Sequence, residues 1–142
     1  MLINDLITLA SKRIAEIPMT VGIPVIDEDK GNVSNKLAIS MGKCRCAIVV
    51  GWNGFQSETT SSKTIIGEAK VVVSVFEKPT VNRADTVSPT ALKLAQAIAN
   101  EINLFVPGPD SAPLVFKRIT PLQDLNESTI ACDVEFIVKS QL

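Results

Sequence analysis

The sequence predicts an α+β domain: an antiparallel sheet of about four to five strands with two helices packed on one face. Three observations carry that expectation. Residues 2–17 and 89–105 repeat their apolar positions at helical spacing, whereas 44–52, 64–77 and 130–138 alternate apolar with other residues at strand period. The elements run helix, strands, helix, hairpin, without the βαβ alternation of a parallel sheet. The apolar complement, 46% of 142 residues, is mainly Val, Ile, Leu and Ala, with five Phe, one Trp and no Tyr, and branched aliphatics suit strands.

The first helix, 2–17, has Ile3, Leu6, Ile7, Ala10, Ile14 and Ile17 on one stripe, and Pro18 stops it. Val21–Ile26 is a short strand that Pro24 confines to an edge, because proline cannot donate to a ladder. Polar Asp27–Lys36 is expected to be loop. In the strand Cys44–Trp52, the residues Cys44, Cys46, Ile48, Val50 and Trp52 share a face, opposite Arg45, Ala47 and Val49. Asn53-Gly54 then opens a Ser/Thr-rich stretch, and residues 53–63 are expected to form a flexible hairpin arm. Thr64–Glu77 returns as a long strand with Ala69, Val71, Val73 and Val75 on one side. In the second helix Ser88 is the expected N-cap and Pro89 the first helical residue. Ala91, Leu92, Ala95, Ile98, Ala99, Ile102 and Phe105 form its stripe, and Pro107-Gly108-Pro109 ends it. The strands Leu114–Leu122 and Ile130–Val138 close the chain around a turn at Asn126-Glu127. The length suits one domain, 1–142, which can bury roughly 70% of its unfolded surface without a disulfide or structural metal.

Charge narrows the function classes. The formal net charge is −1, from 14 basic and 15 acidic residues spread along the chain, with no basic block to neutralise phosphates, which disfavours nucleic-acid binding. No apolar run approaches the ~20 residues of a spanning helix. The start, Met1-Leu2-Ile3-Asn4-Asp5, lacks the basic region of a signal peptide and is expected to be a mature cytosolic N-terminus. Three cysteines without an export signal point to reduced thiols.

Few residues in the sequence suggest chemistry. The sequence has no histidine, which removes Ser-His-Asp and Cys-His nucleophiles and the usual zinc hydrolase ligand sets. Cys44-x-Cys46 would place two thiols on one strand face, with Cys132 able to approach; the set lacks a fourth ligand, and buried cysteine is a common core residue. Ser40-x-x-Lys43 matches a nucleophile–lysine spacing but runs into a strand without the companion motifs. Asp27-Glu28-Asp29 does not meet the calcium-loop pattern, and Gly51-Trp52-Asn53-Gly54 lacks the helix of a phosphate cradle. No enzymatic activity and no cofactor are expected. Trp52 is either a strand-end core residue or an interface anchor. The polar arm is the segment whose presence a compact hairpin does not explain; it is either a disordered linker or a piece that orders on a neighbouring subunit. Its candidate contact residues are Trp52, Phe55, Glu58 and Lys63. Leu114–Leu122, apolar on both faces with Lys117 and Arg118, adds Phe116 and Arg118.

The layout resembles that of phage tail terminators and minor tail proteins of the head–tail joining region. It is carried by the helix Leu2–Ile17, the strand pair Cys44–Glu77 with its long loop, the helix Pro89–Phe105 and the hairpin Leu114–Val138. Lys70-Val71-Val72-Val73-Ser74-Val75, a connection with Arg83 and Asp85, and the Ala-rich helix come nearest to a signature. The resemblance implies a six-subunit ring, built in the host cytoplasm, that stops the tail tube and docks the head connector, and so a location in the virion tail. The partners it implies are the chain itself, tail-tube protein and connector protein; it transfers no catalytic residue. The alternative is a small cytosolic protein-binding module, a dimeric adaptor unrelated to phage.

Overall fold

The computed structural model describes residues 2–58, 63–79, 89–126 and 129–141. Helix α1 (Ile3–Ala15) buries Leu6, Ile7, Ala10, Ser11 and Ile14, with Asp5 in its first turn and Lys12 and Arg13 in its last, each matching the sign of the helix dipole. A 3-10 turn at Pro18–Thr20 follows, and the buried Thr20 hydroxyl closes the helix end by donating toward the Ile14 and Ile17 carbonyls, at 2.6 and 2.9 Å. The remaining elements are β1 (Val25–Asp27), α2 (Val33–Cys44), β2 (Cys46–Ser57), β3 (Ile66–Glu77), α3 (Ala91–Ile102), β4 (Val115–Asn126) and β5 (Thr129–Gln141).

The strands form one sheet in the order β1-β2-β3-β5-β4. Every pair is antiparallel except β1–β2. The α+β class and the five-stranded sheet thus agree with expectation; the edge strand expected at Val21–Ile26 is instead Val25–Asp27, which leaves Pro24 just outside it. The parallel pair arises because α2 carries the chain from β1 back to the start of β2.

Helices α1 and α3 cover one face, as expected. Beneath them lie Cys46, Ile48 and Val50 of β2, Ala69, Val71, Val73 and Val75 of β3, and Cys132, Val134, Phe136 and Val138 of β5, all in one core cluster. These are alternate residues along three neighbouring strands, so the register brings them side by side. Burying a side chain of this size stabilises by roughly 1.5–3 kcal/mol each, which is why the period-2 pattern sets the register.

Four further expectations need correction. Asp27–Lys36 is not a loop: Glu28–Lys30 form a 3-10 turn and α2 begins at Val33. This third helix packs on β1 and β2, where Ile26, Met41 and Ala47 are buried outside the main core, on the other face of the sheet. Cys44 ends α2 instead of opening the strand, and Arg45 in the left-handed region (φ 66°) turns the chain into β2. Ser40 and Lys43 therefore sit on α2. Asn53–Ser57, expected in the loop of the arm, belong to β2 and pair with β3 through Phe55↔Ala69, Gln56↔Glu68 and Ser57↔Gly67. A bulge between Trp52 and Phe55, with Gly54 at φ 106°, lets the strand continue past its irregular point. In α3, Thr90 is the N-cap, accepting the Lys93 N–H at 3.3 Å, and Leu94 lies in the buried stripe while Leu92 is 53% exposed. Ser88, Arg83 and Asp85, the arm residues 59–62 and Glu127 of the last turn lie outside the described residues.

Candidate assembly surfaces

The sheet has two outer edges, and five of the six residues singled out from sequence divide between them. Trp52, Phe55 and Glu58 lie along β2 and its continuation; Phe116 and Arg118 lie on β4. Three strand spacings, about 14–15 Å in all, separate β2 from β4. Lys63 is exposed at the return of the arm, just before β3.

Edge β2 is half covered. β1 pairs with Ile48–Val50, so among the described residues the outer side of β2 from Gly51 onward has no strand beside it. Glu28 occupies the place where that cover ends. Its carboxylate accepts the Trp52 N–H at 3.2 Å and fills the space that a side chain at residue 51 would need, so any larger residue there would displace it. Trp52 pairs with Val71 and so points to the helix-covered face, yet 49% of it is exposed, because it extends past the main core. Phe55 is half-buried against that core. Glu58 closes the pairing through its N–H to the Ile66 carbonyl at 2.9 Å, and its side chain lies 3.7 Å from Lys139.

Edge β4 is shaped by Asn103, at the end of α3, whose side-chain oxygen accepts the Phe116 N–H at 3.0 Å. The Phe116 ring meets Phe136 edge to face at 6.1 Å and is half-buried. A bulge separates it from Arg118, whose guanidinium lies 3.6 Å from Glu135 and whose side chain is 64% exposed. Both edges are therefore blunted in the same way: a polar side chain occupies one backbone donor, a device that discourages indiscriminate strand pairing.

The thiols are separated rather than gathered. Cys46 and Cys132 are buried in the main core and Cys44 is half-buried at the end of α2. Burial pushes the Cys46 thiol up to about 11, with Glu77 and then Cys44 adding to the effect. Burial likewise raises Cys132, followed by Asp133 and Glu77. Both are neutral thiols near pH 7, a form that is a poor nucleophile and a poor metal ligand. Among the described residues no three Cys, Asp or Glu side chains converge as metal ligands would. Glu77, which pattern reasoning assigned only to the strand, is fully buried and accepts the Ala91 N–H at 3.0 Å, fastening the start of α3 to β3. Its sequence signal is its phase: it continues the series 69, 71, 73, 75 into the core.

No family model matches the chain, and no curated protein matches it. Among solved structures, it is similar to a chain in the structure titled "Virion of native gene transfer agent (GTA) particle", with a TM-score of 0.60 and 12% sequence identity. The likeness covers 96% of this chain and 95% of that one, so the two share a fold from end to end.

Proposed function

We propose that this chain is a structural subunit of a phage or phage-like particle, and that it forms a ring which terminates the tail tube and joins it to the head connector. The observation that carries the proposal is the end-to-end fold likeness to a chain of a gene transfer agent virion. It accords with the family resemblance of the layout and reaches nearly the whole length of both chains. The distribution of surface features supports the ring. A closed ring uses a heterologous contact, in which two different patches of each subunit meet. The half-covered β2 edge and the β4 edge supply two such patches on opposite sides of one sheet.

In this role the chain performs no chemistry: its buried thiols and its fastened Glu77 serve the core. It works in the virion tail after assembly in the host cytoplasm, with tail-tube and connector proteins as partners. Size-exclusion chromatography with light scattering tests the ring, and a mass six times the 15.2 kDa protomer is expected. Adding the purified protein to polymerising tail-tube protein tests the terminator role, with tubes of limited length as the expected result. A stable dimer with no effect on tubes would instead favour the adaptor.

A further inference from the structure

The two edges correspond in height as well as in kind. Along the strand direction, Trp52 pairs with Val71, Val71 with Phe136, and Phe136 with Phe116, so Trp52 and Phe116 stand at one level on opposite edges. One residue along, Gly51 pairs with Val72, Val72 with Glu135, and Glu135 with Arg118. The Glu28 carboxylate sits at the side-chain position of Gly51, so Glu28 and Arg118 also share a level. Alternation puts Trp52 and Phe116 toward the helix-covered face, and Glu28 and Arg118 toward the other. Each edge thus carries an aromatic on one face and a charge on the other, with the charges of opposite sign.

Ring closure makes this correspondence useful. Subunits related by pure rotation have no rise between them, so with the strands along the ring axis, groups that meet across the contact must stand at equal height. We propose that the β4 edge of one copy docks on the β1–β2 edge of a second copy, Arg118 against Glu28 and Phe116 beside Trp52. The proposal rests on the ring and names the surfaces that close it. Because Glu28 holds the Trp52 N–H and Asn103 holds the Phe116 N–H, the contact is made by side chains and not by adding strand to strand. Arg118 engages Glu135 within its own copy, but a guanidinium has five N–H donors, and one exposed to this degree can serve a second carboxylate.

Reciprocal charge reversal tests the proposal. R118E reverses only the β4 edge and E28K only the other, so each variant alone places like charges at every contact. Mixed in equal amounts, they restore opposite charges wherever the two kinds alternate around an even-numbered ring. Light scattering should show a ring for the wild type, smaller species for each variant, and a ring again for the mixture. Trp52 is the sole tryptophan, so its emission should shift to the blue in each sample that assembles. Circular dichroism verifies folding, and if E28K does not fold, E28Q, which keeps an acceptor for the Trp52 N–H but removes the charge, replaces it and should weaken the ring. A wild-type ring that survives R118E, or a mixture that stays dissociated, overturns the contact while leaving the ring intact. A wild-type chain that never forms a ring overturns both.

Discussion

Replacing Leu94 with alanine should cost the fold roughly 2.5–4 kcal/mol, while the same change at Leu92 should cost less than about 0.5. The two leucines are two residues apart on α3, yet Leu94 is fully buried in the core cluster and Leu92 is 53% exposed. Leu→Ala removes three carbons, and at about 0.8 kcal/mol per buried CH2 the transfer component alone is ~2.4 kcal/mol. Leu94 lies where α3 meets the sheet, among Ala91, Ala95 and Ile98, whose small or stiff side chains cannot swing in to fill the space, so a cavity penalty adds to the transfer loss. Urea unfolding followed by circular dichroism reads the difference directly. With a slope of about 2 kcal/mol per M, the Leu94→Ala midpoint should fall by about 1–2 M and the Leu92→Ala midpoint should hardly move. Equal losses at the two positions, or a larger loss at Leu92, would refute the helix phase and the face it turns to the sheet.

Other expectations follow from single contacts. Glu77→Ala should lower stability by about 1–3 kcal/mol because it strands the buried Ala91 N–H, whereas Glu77→Gln, which keeps an acceptor, should lose less in the same urea titration. Glu28→Ala and Gly51→Ala should both speed hydrogen exchange at the Trp52 amide, the first by removing its acceptor and the second by displacing it; unchanged exchange in Glu28→Ala would count against the contact. Cys46 is raised from 9.0 in the unfolded chain to about 11 in the fold, so its contribution to stability is complete below pH 9 and is lost as pH climbs toward 11. A Cys46→Ala variant should show a shallower alkaline decline in melting temperature over that window. Thiol titration of the native protein near pH 8 should find Cys44 reacting first, with Cys46 and Cys132 slow until denaturant is added.

These contacts also indicate what a sequence can reveal. Strands β3 and β5 were legible because each alternates under a helix layer, where every second residue must be apolar. Helix α3 was legible in extent but not in full phase, since Leu92 and Leu94 flank the Ala/Ile stripe on opposite sides and only packing against the sheet selects one. Helix α2 was illegible for a physical reason: it buries only Met41, carries Ser34, Asn35, Ser40 and Gly42, and has no side-chain cap bond. It is held by its position between two paired strands more than by its own pattern. Missing it misplaced Cys44 and hid the parallel pair, because both depend on the crossover that α2 provides.

The edges follow the same logic. The pattern identified Trp52 as sharing a face with Ile48 and Val50, which is correct, but alternation carries no information on where the helix layer stops. Arg118 and Phe116 were identifiable as an unusual pair in a mixed strand. Their correspondence in height with Glu28 and Trp52 required the register of four strands, and Glu28 itself stood in what the pattern marked as loop.

The proposed ring closes through two unlike edges of one sheet. The most direct test is the mass of the purified wild-type protein by light scattering, read together with class averages of negatively stained particles. A single species of six protomers with a visible central opening is expected. A monomer at all concentrations, or a dimer with two-fold symmetry, would contradict the ring.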